Sequence, residues 1–161
     1  FAFIVSEEAP ETAIVLPIWM RIERLSSRLS LRIFRDTDQL NLLNQLVDEL
    51  DLIEDLGEME LPLCLIFDEE WNYQAQWGPH PQALESLLDQ WFEQHREYEA
   101  LAEEDTPEAQ QQYGLLIQEL TQQMRVWYNS GLDRACLQEI RDLLSTLRED
   151  EEREAGAEED Q

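Results

Sequence analysis

Strand-like and helix-like stretches alternate through the first 80 residues of this chain, and only helix-like stretches follow. That order constrains the fold more than any other feature, because alternating elements build an α/β layer around a sheet. Phe1-Ala2-Phe3-Ile4-Val5 is continuous, apolar and bulky, and reads as a short buried strand. Glu7–Glu11 is polar and contains Pro10, hence a loop. Thr12 is placed to cap a helix over about 13–28, where Val15, Ile18, Trp19, Ile22 and Leu25 recur at helical spacing. Pro17 lies inside that pattern and should kink the helix or shift its start. Ser30-Leu31-Arg32-Ile33-Phe34 alternates with period two and reads as a strand.

A second helix opens at Asp36 or Thr37, with Leu40, Leu43, Leu46, Val47 and Leu50 on one face. Pro62-Leu63-Cys64-Leu65-Ile66-Phe67 is a strand led by proline, which is tolerated at a first strand position and not within a central one. Asp68-Glu69-Glu70 turns the chain, and Trp71–Trp77 supplies a hairpin partner. Gly78-Pro79-His80-Pro81 ends that strand and launches a helix with Leu84, Leu87, Leu88, Trp91, His95 and Tyr98 on one face. Thr106-Pro107 starts the next helix, Asn129-Ser130-Gly131 breaks it, and Ser130 is placed to cap the last. Cys136, Ile140, Leu143, Leu144 and Leu147 form that helix's inner face. Residues 149–161 hold eight acids and one Arg without apolar periodicity, which predicts disorder.

Charge narrows the partners. The chain carries 37 acidic and 11 basic residues, every basic residue is Arg, and the net charge is −26. Phosphate recognition needs clustered cations, so neither nucleic acid nor an anionic membrane surface is an expected partner. Residues 1–37 are balanced, with five acids and five Arg, so the whole deficit falls in residues 38–161. A solvated, soluble surface accounts for such acidity, as do salt adaptation and basic protein partners. Arg21, Arg24 and Arg28 share one helical face, where pairing with the chain's own carboxylates is the plainer expectation. No apolar run reaches the roughly 18 residues of a membrane span. The opening apolar run lacks the basic flank of a signal peptide, and the absence of a starting Met leads to the expectation that the native protein extends upstream.

Cys64 and Cys136 stand 72 residues apart, with no CxxC pair and no zinc spacing. With two His in all, no metal site and no cofactor is expected, and a reducing cytoplasm is the natural compartment. Cys64 lies within an apolar strand and Cys136 on an apolar helix face, so both read as structural buried thiols, with Cys64 the candidate if a reactive thiol exists. His95, on an apolar face, reads as a core or boundary residue. No Ser-His-Asp order, Gly-rich phosphate loop or distinct acid–base pair is present.

Three blocks, Leu31-Arg32-Ile33-Phe34-Arg35-Asp36, Leu61-Pro62-Leu63-Cys64-Leu65-Ile66-Phe67-Asp68 and Trp77-Gly78-Pro79-His80-Pro81, resemble successive blocks of a bacterial thioredoxin family group. There they run as an L-R-I-x-x-R-D strand, an I-P-K-L-I strand and a W-G-P-R-P turn. Trp127-Tyr128, Asp133-Arg134-Ala135 and Glu139 resemble that group's last helix, so the likeness spans roughly residues 3–145. The resemblance implies a thioredoxin-like α/β fold with a β-α-β-α-β-β-α core over residues 1–101 and a mixed central sheet. A helical extension over 102–148 and the acidic tail complete the chain. It also implies that Pro62 is the proline before the third strand, joined to Leu61 by a cis bond. That proline borders the groove where family members receive an extended peptide.

Two departures bear on function. Family members carry a Trp-Cys-Gly-Asp type segment before the first helix, where this chain has Glu7-Glu8-Ala9-Pro10-Glu11-Thr12. A thiolate there draws on the helix N-terminus to lower its pKa, and three glutamates oppose that. The family's Arg in the Trp-Gly-Pro turn is His80 here. The leading expectation is a degenerate member that binds an unidentified protein or peptide, or is architectural. The alternatives are a thiol-disulfide oxidoreductase using Cys64 or a partner's cysteine, and an acidic helical interaction protein.

Overall fold

A computed structural model describes residues 1–6, 9–35 and 60–159. Strand β1 (Ala2–Val5) is followed by helix α1 (Thr12–Leu25) and strand β2 (Arg32–Arg35), and β3 (Leu63–Phe67) and β4 (Tyr73–Trp77) form the hairpin. They make a four-stranded sheet in the order β2-β1-β3-β4. The β1–β2 pair is parallel, as a β-α-β unit requires, and the other two pairs are antiparallel. The helix expected over 36–50 lies outside the described residues.

The period of two along the strands sorts side chains onto two faces. Phe3, Val5, Cys64 and Ile66 join one buried cluster; Ala2, Ile4, Leu63 and Leu65 join another with Phe34. Helix α1 covers the first face, and its fully buried Trp19 meets Phe1, Phe3 and Trp77 at centroid separations of 4.9, 6.2 and 5.7 Å. Truncating such a ring forfeits about 3–5 kcal/mol. The helix runs through Pro17 without ending. Ala13 and Pro17 are both exposed, so the i−4 hydrogen bond that proline cannot donate is missing on the solvent side of the helix. Thr12 is the first helical residue rather than the cap: its hydroxyl donates to the Ser6 carbonyl at 3.0 Å.

The helix expected from Pro81 divides. A 3₁₀ turn over Gln82–Leu84 leads into α2 (Glu85–Gln94), which stops at His95, and α3 (Glu97–Glu103) follows. The imidazole lies flat on Trp91, at 4.0 Å between ring centroids, and its Nδ1 contacts the Trp91 carbonyl oxygen at 2.8 Å. Helix α4 (Pro107–Trp127) starts where the sequence places it, with Thr106 Oγ1 accepting from the Ala109 N–H. The break before α5 (Asp133–Glu159) rests on Gly131, whose φ of 128° suits glycine. Ser130 does not cap α5; it donates back to the Val126 carbonyl at 2.7 Å.

Leu120, Met124, Tyr128, Cys136 and Ile140 of the later helices share one cluster with Phe3, Trp19 and Cys64 of the sheet layer. Disorder over 149–161 is corrected as far as the chain is described: the backbone of α5 is helical through Glu159, and residues 160 and 161 lie outside the described residues. Composition suggested disorder because nothing apolar is available to pack. Helix propagation needs no packing once the packed turns supply a nucleus, and Glu, Arg and Ala propagate well. No helix among the described residues is long and apolar enough to cross a membrane.

Candidate functional site

Three chain segments meet at one end of the sheet. The first is the entry to α1, the second the Leu61–Pro62 bond before β3, and the third the Gly78–Pro81 turn after β4. Both the Leu61–Pro62 and Gly78–Pro79 peptide bonds are cis. Gly78, at φ 131°, sits with its Cα so close to the Pro62 carbonyl oxygen that no side chain fits between. Pro62 and Pro81 are fully buried, while Glu11, Leu61, Pro79 and His80 around them are half-buried.

A cleft of about 430 Å³ opens over this junction. Ala9, Leu61, Pro79, Leu88 and Phe92 give it apolar walls, and Glu11, Glu60, Glu85 and Asp89 bring four carboxylates to it. His80 stands among them, with Nδ1 4.0 Å from Glu11 Oε1. Burial pushes the Glu11 carboxyl up and the His80 imidazole down, so desolvation opposes an ion pair between them. The charges of Glu60, Glu85 and Glu139 act on His80 in the other direction without prevailing. His80 Nδ1 is buried and lacks a hydrogen-bond partner among the described residues.

Glu139 of α5 braces the turn from below. Its Oε1 accepts from the Gln82 N–H at 2.9 Å, and its Oε2 accepts from Trp77 Nε1 at 3.4 Å. A single carboxylate therefore ties the last helix to both flanks of the Gly78–Pro81 turn.

The two thiols stand apart from the cleft. Cys64 is buried at the centre of the sheet, opposite Phe3 on one side and Trp77 on the other. Cys136 is buried on α5. Burial pushes each thiol up to about 12, with the charges of Glu139 and Asp133 adding to the effect at Cys136. Both are free thiols. Among the described residues, no three of His, Cys, Asp and Glu converge as a metal site.

Of the residues singled out by sequence, Ala9, Glu11, Leu61, Pro79 and His80 come together in the cleft wall. Pro62, Trp77, Gly78 and Pro81 support it from behind, and Thr12 secures the loop to Ser6. Pro10 is half-buried beside the cleft without lining it, and Glu7 and Glu8 lie outside the described residues. Glu60, Glu85 and Asp89 were not anticipated. The available signal was Glu85 and Asp89 at i, i+4 on the helix that Pro81 launches.

This arrangement, a parallel β-α-β unit joined to an antiparallel hairpin with a cis-proline facing the entry of the first helix, defines a thioredoxin-like domain. A family model described as thioredoxin matches residues 8–96, more than half of the chain, and the chain belongs to that family. Neither the curated proteins nor the solved structures gave a match.

Proposed function

We propose that this thioredoxin-family domain binds an extended protein segment in the cleft beside Pro62 and performs no thiol chemistry. The observation that carries the reading is Glu11. At the entry of α1, where a nucleophilic thiol would be activated, the chain presents a carboxylate to the cleft, and residues 7–12 contain no cysteine. Neither remaining thiol supplies the function, because each is buried and held protonated at neutral pH. The apolar walls suit an aliphatic side chain, and Glu11, Glu60, Glu85 and Asp89 suit an arginine or lysine near it.

A disulfide-reduction assay on the wild type and the Cys64→Ser variant, run beside binding to an array of extended Arg- and Leu-bearing peptides, tests this. Equal, background reduction by both proteins together with peptide binding weakened by Glu60→Lys is the expected result. Turnover by the wild type that vanishes in Cys64→Ser would restore the oxidoreductase reading. The acidic cleft favours a basic segment from another protein, and the compartment in which the two would meet is proposed to be the cytoplasm.

A further inference from the structure

The acidic rim of the cleft beside Pro62 stays unneutralised within the chain. Glu60, Glu85 and Asp89 are exposed there, and their carboxylates make no hydrogen bond or ion pair among the described residues. All 11 Arg lie among the described residues, and none of them lines the cleft. Residues 7–8 and 36–59 contain no Arg, Lys or His, so no cation comes from those segments either. His80 stands in the cleft wall, but burial holds its imidazole below the ordinary 6.5 and leaves it neutral at physiological pH.

Helix α2 sets the form of this wall. Glu85, Leu88, Asp89 and Phe92 fall at i, i+3, i+4 and i+7, so acidic and apolar side chains alternate down one stripe. Leu88 is nearly buried at 8% exposure, whereas Phe92 leaves 36% of its surface open. Trp91 and Tyr98 hold the Phe92 ring from behind, at centroid separations of 5.4 and 5.1 Å. Glu60, Leu61 and Pro79 supply the same two kinds of surface from outside the helix.

We infer that the segment bound in this cleft presents an arginine, and that the α2 stripe reads it in preference to lysine. The inference rests on the peptide-binding reading above and names the side chain that the site selects. An arginine stem covers apolar surface such as Leu88 and Leu61 while its head reaches the rim. The planar guanidinium can lie on the face of Phe92, and its separate N–H edges can serve Asp89 and Glu85 together. Those two carboxylates are one helical turn apart, about 5–6 Å between Cβ atoms, a span that suits a forked donor. A lysine ammonium is a compact and strongly hydrated charge, so it gives up more water and gains less from the ring.

The probe is a fluorescein-labelled peptide of about six residues, roughly 20 Å when extended, with one arginine among alanines and leucines. Counterparts carry lysine, citrulline or glutamate at the arginine position. The arginine peptide is expected to bind the full chain about tenfold more tightly than the lysine peptide. Citrulline keeps the shape and loses the charge, so it should bind no better than lysine, and the glutamate peptide should not bind. Asp89→Asn, an isosteric change at an exposed position, should erase most of the arginine preference with thermal melting unchanged. Phe92→Leu should narrow the arginine-to-lysine ratio as well. Amide shifts induced by the peptide should fall on Leu61, His80 and residues 85–92. Equal affinity for the arginine and lysine peptides, with shifts at those amides, would overturn the inference and leave the binding reading standing. No binding of any peptide, or shifts away from the cleft, would overturn both. A dimer in sedimentation velocity that Asp89→Asn abolishes would assign the cleft to a second copy and overturn the inference too.

Discussion

Gly78 presses its backbone against the carbonyl oxygen of Pro62, and this contact joins the hairpin's exit to the start of its first strand. A methyl group at residue 78 would overlap that oxygen and would also have to occupy a φ of 131°. Both effects act in the folded state only. Gly78→Ala is therefore expected to destabilise the fold by about 3 kcal/mol, measured as a lower urea midpoint with an unchanged m-value. Gly131 has a similar φ and open space around it, so Gly131→Ala should cost less, about 1 kcal/mol. The difference between the two isolates the steric contribution.

Glu139 of α5 reaches both flanks of the Gly78–Pro81 turn, accepting hydrogen bonds from Gln82 and Trp77. Replacing it with alanine leaves a backbone N–H and an indole N–H without their acceptor. Glu139→Ala should lower stability by about 2 kcal/mol, as expected for hydrogen bonds to a charged group. Glu139→Gln, which keeps one acceptor oxygen, should lose about half of that. Hydrogen exchange at Gln82 should rise in both variants. A loss confined to α5 amides would show that the contact does not hold the turn.

The elements easiest to read in the sequence were those whose period matches their environment. Phe3, Val5, Cys64 and Ile66 alternate with Ala2, Ile4, Leu63 and Leu65 onto two buried faces, so both strands stand out in the sequence as short continuous apolar runs. Trp77-Gly78-Pro79 and Pro62 were legible through the family resemblance, and the close approach of Gly78 to the Pro62 carbonyl shows why those places accept so few residues. The cleft was harder, because its carboxylates come from three separate segments, and any acid in a chain with 37 of them looks alike. Glu139 stood out only through the likeness of the last helix, and its partners are 57 and 62 residues away. The break at His95 was hidden because an apolar face continues across it to Tyr98. The interruption lies in the stacking of the imidazole on Trp91, which no period reveals.

Thiol reactivity gives a direct measure of how deeply the cysteines are withdrawn. With both held up to about 12, the thiolate fraction at pH 8 is roughly a thousandfold below that of an unperturbed cysteine. Native protein should therefore react with a disulfide reagent slowly, on the timescale of local opening. Addition of denaturant should bring both thiols into the fast phase. Rapid modification of one thiol in the native state, traced to Cys64 by its loss in Cys64→Ser, would contradict the burial seen here.

Glu11 and His80 make opposite contributions to stability as pH changes. The folded chain holds the Glu11 carboxyl above its ordinary 4.5, so it binds more protons there than the unfolded chain does. Stability from this group consequently falls as pH rises through that window, and the penalty is complete above the folded value. Glu11→Gln should stabilise the protein at neutral pH, and the gain should fade as pH approaches 4.5. The His80 imidazole is held below its ordinary 6.5, so the folded chain binds fewer protons and loses stability as pH drops through that window. His80→Gln should therefore show its gain only on the acid side of 6.5. Urea midpoints of the two variants, plotted against pH relative to wild type, should cross. Because the groups are 4.0 Å apart, the double variant should depart from the sum of the singles. Parallel profiles or simple additivity would show that the two side chains do not sense each other.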